Sequence, residues 1–297
     1  MDWELELIAV YDFICKHYEE KLKVHCQRFA RYSDLRFTDE EVICIYVWGI
    51  INKRREIKEI YEDVVRYLKD WYPRLPSYCG YVQRLNRIAG ALVPLLEAVQ
   101  TVLPEENVLK EIRLIDSLPI RLAHAKRSSF ASVAPELADK GYCASKNEYY
   151  YGVKLHVLAL RRPGTLPLPS YLGLTSASEH DLTALRQIVC GLYGGELYAD
   201  KAYLDAMLMQ NTQTEQQLTM LVPVKKARGQ AYLDAADQLW STAVSRVRQP
   251  IESLFNWLDE KTGIQHASKI RSFNALLVHV FGRLVAALWL LAHPLCS

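Results

Sequence analysis

The chain lacks the marks of several common protein classes. Its 297 residues contain no C-x-x-C pair, and its seven cysteines, at 15, 26, 44, 79, 143, 190 and 296, are odd in number. A disulfide framework or zinc ribbon is therefore disfavoured, and reduced thiols in a cytosolic chain are expected. There is no H-E-x-x-H, no P-loop and no G-x-G-x-x-G, which leaves metallopeptidase and nucleotide-fold readings without support. Long apolar runs are also missing: Leu284 to Ala292, after Arg283, is nine residues, about half of what a bilayer requires. A core helix is expected there, with no membrane partner. The start, Met1-Asp2-Trp3-Glu4, has neither the basic residues nor the apolar stretch of a secretory signal, so a cytoplasmic location is expected. Net charge is nearly absent, since 36 Lys+Arg against 34 Asp+Glu leave +2. Any attraction for a charged partner must then be regional. Residues 111–297 hold 20 basic and 16 acidic side chains, and within them 121–170 hold 8 against 3.

Half of the residues are apolar and one in ten is aromatic, the profile of a globular chain. The length suggests about two domains. In the first hundred residues the apolar positions recur at helical spacing: Leu7, Val10, Tyr11, Ile14 and Tyr18, then Ile57, Ile60, Tyr61, Val64 and Leu68. Thr38-Asp39-Glu40-Glu41 has the spacing of a capping box ahead of Val42 to Ile51. Ser77 is an N-cap candidate for a helix whose outer face carries Gln83, Arg84 and Arg87. Near residue 108 the period changes. Val108 to Leu122, Tyr149 to Leu160, Pro169 to Thr175, Glu196 to Ala199 and Leu218 to Val224 read as five strands. Helical stretches, Asp181 to Leu192, Tyr203 to Thr214, Ala235 to Lys261 and Phe273 to Ala292, fall between and after them. The expectation is an all-α region, 1–107, followed by an α/β domain, 108–297, with a mixed five-stranded sheet flanked by helices.

Three acids stand out by position. Ile112-Arg113-Leu114-Ile115 runs into Asp116, and Glu196-Leu197-Tyr198-Ala199 runs into Asp200, so each lies on or at the end of a strand. Ligands of open α/β sheets gather at strand ends. Glu252 shares a polar helix face with Asn256, beside the core stripe Ile251, Leu254, Phe255 and Leu258. Three carboxylates on separate elements suffice for two hard cations about 3.5 to 4 Å apart, the arrangement that activates a nucleophile and stabilises the leaving oxygen at a phosphodiester. Each acid also has a plainer reading: an Asp after a strand serves as a turn or cap residue, and a Glu on an amphipathic helix is solvated. His180-Asp181 offers a candidate ligand pair, but Ser178-Glu179-His180-Asp181 reads first as a helix start of capping-box type, with Asp in place of Glu. Lys154 and His156 share a sheet face, either a solvated edge or a phosphate-facing surface.

The order of motifs adds a resemblance. Leu114-Ile115-Asp116-Ser117-Leu118-Pro119-Ile120, Gly141-Tyr142, Tyr151-Gly152-Val153-Lys154-Leu155-His156, Ala199-Asp200-Lys201-Ala202-Tyr203 and Arg248-Gln249-Pro250-Ile251-Glu252-Ser253-Leu254-Phe255 resemble bacterial insertion-sequence transposases of the DDE class. The acids are 84 and 52 residues apart, and the likeness covers about 75–290. The resemblance implies a ribonuclease-H-like domain in which Asp116, Asp200 and Glu252 hold two Mg²⁺ ions, with Mn²⁺ able to substitute. It implies hydrolytic nicking at the transposon end, then attack of the freed 3′-hydroxyl on target DNA. Partners would be double-stranded DNA, as terminal inverted repeats and target, and a second copy of the chain in a homodimer. It gives Arg248 a place beside the scissile phosphate or terminal bases, and makes Lys154, His156 and Lys201 candidate phosphate contacts. The helical region with Arg84 and Arg87 would recognise the inverted repeats. Ser245 stands where the family signature has Tyr, and Asp259 where it has Lys. Two alternatives share the chemistry or the binding: a metal-dependent nuclease without strand transfer, and an inactive repressor that occupies the ends.

Overall fold

The computed structural model describes residues 3–27, 36–143, 147–227 and 229–293. The chain forms two compact units, Met1–Pro104 together with Leu258–Ser297, and Glu105–Trp257.

The helical unit begins with α1 (Trp3–His17), α2 (Asp39–Ile51), α3 (Ile57–Tyr67), α4 (Tyr78–Arg87) and α5 (Leu92–Gln100). Local chemistry starts two of these helices as the sequence predicts. The Thr38 hydroxyl accepts from the Glu41 amide while the Glu41 carboxylate accepts from the Thr38 amide, a closed capping box. Ser77 accepts from the Gly80 amide at 3.3 Å to open α4. Helix α2 is buried almost all round, from Val42 to Ile51, and so forms the centre of this unit. Asp39 in its first turn is only 2% exposed. Arg84, at 3.0 Å, and Arg87, at 3.4 Å, donate to its carboxylate. The basic face expected on α4 is thus partly spent on a buried acid.

The second unit is built on a six-stranded sheet, one strand more than expected. Its strands are β1 (Leu109–Ala123), β2 (Asp139–Cys143), β3 (Glu148–Arg161), β4 (Leu168–Ser176), β5 (Glu196–Tyr198) and β6 (Thr219–Leu221). The additional strand, β2, is Asp-Lys-Gly-Tyr-Cys, without apolar alternation. It is held by antiparallel pairing with Glu148–Gly152 at one end of the long β3. Along the same edge β4 pairs with the rest of β3. The order is β2-β3-β1-β5-β6, with β1 antiparallel to β3 and parallel to β5, and β5 parallel to β6. A one-turn α6 (Ala125–Ser128) follows β1. Helices α7 (Asp181–Val189) and α8 (Ala206–Gln216) precede and follow β5. The core over one sheet face joins Ile115, Leu158, Leu197 and Met220 to Leu185, Ile188 and Val189 of α7.

Helix α9 (Ala235–Arg248) is tied to the chain beyond β6. Trp240 Nε1 donates to the Val222 carbonyl at 3.1 Å, and the Val224 amide donates to the Ser241 hydroxyl at 3.0 Å. Helix α10 (Pro250–Thr262) starts on its proline. There the missing N–H costs no helical hydrogen bond.

Residues 258–297, expected in the α/β domain, belong instead to the helical unit. After α11 (Phe273–Leu277) and a π-turn, Val278–Gly282, comes α12 (Arg283–Ala292). The 20 residues Phe273–Ala292 are long and apolar enough to cross a membrane, but 72% of their most apolar 18-residue window is buried. That burial is the pattern of a core helix. Arg283, itself buried, donates to the carbonyls of Thr262 and Arg55 and to His279 Nδ1. His279 therefore carries its proton on Nε2, which donates to the Ile264 carbonyl at 2.9 Å. Burial and the neighbouring Arg283 charge push its pKa well below the ordinary histidine value.

Candidate active site

The placement of the first two acids follows from how β5 docks on β1. Gly194 and Gly195 enter β5 with φ of +64° and +74°. At Gly195 a Cβ would lie 2.4 Å from the Glu111 carbonyl oxygen, so only glycine permits this approach. Arg113 locks the turn by donating to the Gly194 and Tyr193 carbonyls at 2.6 and 3.2 Å. The parallel register then runs Ile112 to Glu196, Arg113 to Leu197 and Leu114 to Tyr198. Asp116 and Asp200 each lie two residues past the last of these pairs, near enough that the Asp200 charge raises the Asp116 pKa. Asp200 keeps an extended backbone and opens a 3-10 turn, Lys201–Tyr203.

The third acid arrives by helix. Arg248 ends α9 and Glu252 lies in the first turn of α10, one helical turn apart. The two side chains form an i,i+4 ion pair. The same guanidinium donates to Asp116 Oδ2 at 2.5 Å, while the Ser117 amide donates to Asp116 Oδ1 at 2.8 Å. Burial pushes the Asp116 carboxyl up to about 6, the Arg248 charge and the Ser117 amide pull it down, and Asp200 and Asp181 raise it again. Burial also opposes the charge on Arg248, yet Asp116, Glu252 and Asp200 outweigh it and raise that pKa above its ordinary value. Two carboxylates, Asp116 and Glu252, thus share one guanidinium, and the Asp200 charge acts on it from nearby.

The remaining expected residues fall into two groups. Lys201 is exposed, one residue beyond Asp200. Lys154 is engaged, donating to the Glu179 carbonyl at 2.7 Å and to Asp181 at 3.0 Å. His156 is 1% exposed, with Nε2 2.8 Å from the Thr175 hydroxyl. Its pKa is lowered to about 4, by burial first and by the Lys154 charge, against the opposing pull of Asp181. It is neutral and inside the sheet.

Asp181 is a residue that the sequence places in a helix start, with a ligand pair alongside His180 as the second reading. The cap of α7 is His180, whose Nδ1 accepts from the Leu182 amide at 3.2 Å. Ser178, the expected cap, instead donates to Asp139 at 2.8 Å. Asp181 accepts from Lys154 and from the Ser117 hydroxyl, the latter at 3.3 Å. It stands one residue from Asp116 through Ser117. Its only signal in the sequence was an acid following His180.

The donor set of Asp116, Asp200 and Glu252 is all carboxylate oxygen, which suits a hard divalent cation. Among the described residues no three His, Cys, Asp or Glu side chains are gathered closely enough to hold a metal. Arg248 occupies two of the three carboxylates, so ligation requires Asp116 and Glu252 to release it. The donor chemistry fits, and the guanidinium supplies the positive charge that the cluster demands.

A family model described as a transposase DDE domain matches residues 106–272, more than half of the chain. No curated protein and no solved structure matches significantly. The matched span contains Asp116, Asp200, Arg248 and Glu252, and its family implies an enzyme of nucleotidyl transfer and endonucleolytic cutting. By this match, which takes in every strand and all three acids, the chain belongs to the transposase DDE domain family.

Proposed function

We propose that the protein is the transposase of an insertion sequence, cutting DNA at the terminal inverted repeats and joining the freed 3′ end to target DNA. The observation that carries this is that Arg248 binds both Asp116 and Glu252, while Asp200, two residues beyond the strand β5 that pairs in parallel with β1, lies near enough for its charge to act on both Asp116 and Arg248. The strand order supports a ribonuclease-H-like reading: a central β1 flanked by antiparallel β3 on one side and by parallel β5 and β6 on the other. Asp116, Asp200 and Glu252 are the residues that would hold two Mg²⁺ ions, or Mn²⁺ in their place. Such ions, when bound, activate the attacking water or 3′-hydroxyl and stabilise the leaving oxygen.

The protein's own groups do the rest. Asp116 must be ionised to serve as a ligand, and a pKa of about 6 leaves it ionised at neutral pH. Arg248, freed from the carboxylates, is placed to bind the scissile phosphate through its planar fork. Lys201 reaches a neighbouring phosphate from its exposed turn. Lys154 keeps Asp181 charge-balanced beneath Ser117, and His156 braces β3 against β4 rather than meeting DNA. The helical unit recognises the inverted repeats, and two copies act together on paired ends in the bacterial cytoplasm.

The test uses purified protein, a plasmid carrying the DNA that flanks the gene, and Mg²⁺ or Mn²⁺. Cut and joined products are expected from the wild type and neither from Asp116→Ala. Loss of a carboxylate that holds the ions removes several kcal/mol of transition-state stabilisation, at least about 100-fold in rate. Equal cutting by Asp116→Ala ends the assignment. Cut ends without joined strands point to a nuclease, and binding of the ends without cleavage in any metal points to a repressor.

A further inference from the structure

The second unit holds a groove that none of the chemistry above uses. It has a volume of about 500 Å³ and lies between the β3–β4 turn and the junction of α9 with α10. The end of β3 contributes Arg161, the turn contributes Arg162 and Thr165, and the helices contribute Arg246, Gln249 and Ser253. No acidic side chain and no aromatic ring lines it.

The helical half of the groove is a single stripe. Arg246, Gln249, Pro250 and Ser253 fall at i, i+3, i+4 and i+7, and Gln249 keeps helical backbone angles, so the stripe runs unbroken across the junction. Val244, Ile251 and Leu254 are buried on a second stripe. Arg248 and Glu252 form a third, turned to Asp116. Helices α9 and α10, joined through Gln249, together present a core face, an acid-binding flank and a groove flank. On the other wall, Arg162 is largely buried and its Nε donates to the Leu166 carbonyl at 2.8 Å, which fixes the turn. Arg161 is half-buried and Arg246 exposed, and neither forms an ion pair among the described residues.

Three guanidinium groups around an acid-free groove suit a polyanion. Arginine forks match phosphate geometry, and neutral hydroxyl and amide side chains are common partners of sugar-phosphate oxygens. The absence of aromatic rings disfavours stacking of bases. Distance fixes the relation to the acids: Asp116 pairs with Val157, and Arg161 is four residues further along β3, ~13 Å at strand rise. At 3.4 Å of helix axis per nucleotide, a duplex lying along β3 covers about four nucleotides in that span.

We propose that this groove binds the sugar-phosphate backbone of duplex DNA, about four nucleotides from the phosphate that lies at the acids. The inference rests on the transposase reading, which puts DNA over Asp116. The contact is independent of sequence and anchors the duplex through Arg161 and Arg246.

The test compares the full-length wild type with Arg161→Gln/Arg246→Gln on a short duplex of arbitrary sequence, following affinity by fluorescence anisotropy as KCl is raised. A second variant, Lys126→Gln/Arg127→Gln, removes the same charge from exposed positions on α6, outside the groove. Thermal melts verify that both remain folded. Each lost phosphate contact lowers the slope of log K against log salt by about 0.9, so the groove variant is expected to be shallower by about 2. The α6 variant is expected to keep the wild-type slope. A wild-type slope in the groove variant, or equal flattening in both variants, overturns the inference while leaving the transposase reading intact. Failure of the wild type to bind any duplex overturns that reading itself.

Discussion

Asp116 titrates at 3.8 in the unfolded chain and at about 6 in the folded one, chiefly because it is buried. The folded state then binds the proton more tightly. Between those two values stability falls as pH rises, and above about 6 the ionised carboxylate is a constant liability of roughly 3 kcal/mol. Asp116→Asn mimics the protonated group and is expected to melt several degrees above the wild type at pH above 6, to match it below 3.8, and to have no cutting activity. Thermal melts at the two pH extremes check this, and an unchanged or lowered melting point at high pH refutes it. Divalent cation should raise the wild-type melting point and leave Asp116→Asn unmoved. An equal rise in both removes Asp116 from the ligand set. Arg248 pulls the same carboxyl down, so Arg248→Gln should move the acid limb of the pH–rate profile for cutting to higher pH. A limb that stays in place or moves down means that the pair is not formed in the working enzyme.

Elements were legible where their cause was local. The Thr38 box and the Ser77 cap each depend on residues within one turn. Asp116 and Asp200 were visible because an apolar strand runs straight into each acid. Asp181 was not, since the partners that give it a place, Lys154 and Ser117, are 27 and 64 residues away. Strand β2 was hidden for the same reason: its pairing comes from β3, not from its own pattern. Helix α4 gives the sharpest case. Its arginines look outward by periodicity, but a buried acid on α2 draws Arg84 and Arg87 to itself. Removing one partner of a buried ion pair costs about 3 to 5 kcal/mol. Arg84→Gln should therefore lower the unfolding free energy read from urea titration by an amount near the low end of that range, because Arg87 remains. Asp39→Asn in the same chain should recover part of the loss, giving a clear coupling in a double-mutant cycle. Additive losses would mean that the pair contributes nothing to the unit.

At the scale of the whole molecule, chain order and unit order differ. The match to the transposase DDE domain ends at residue 272, but the chain leaves the sheet-bearing unit at Trp257 and residues 258–297 complete the helical unit. Periodicity could not reveal this, because an apolar helix such as α12 fits any core of the right shape. Leu284, Val285, Leu288, Trp289 and Leu290 of α12 are all buried. At about 1.5 to 3 kcal/mol for each large side chain removed from water, they contribute on the order of 10 kcal/mol. That is as large as the whole net stability of a typical domain, about 5 to 15 kcal/mol. Arg283 adds three hydrogen bonds that knit Thr262, Arg55 and His279 together. Deleting residues 258–297 should therefore unfold α1–α5 as well as remove the C-terminal helices. Far-ultraviolet circular dichroism should lose more helix than the deleted segment contains, and limited proteolysis should cut within residues 36–104 at a protease level that spares the intact protein. A truncated chain that keeps α1–α5 protected would show that the N-terminal helices hold a core of their own, and that α12 is an attachment to it rather than a part of it.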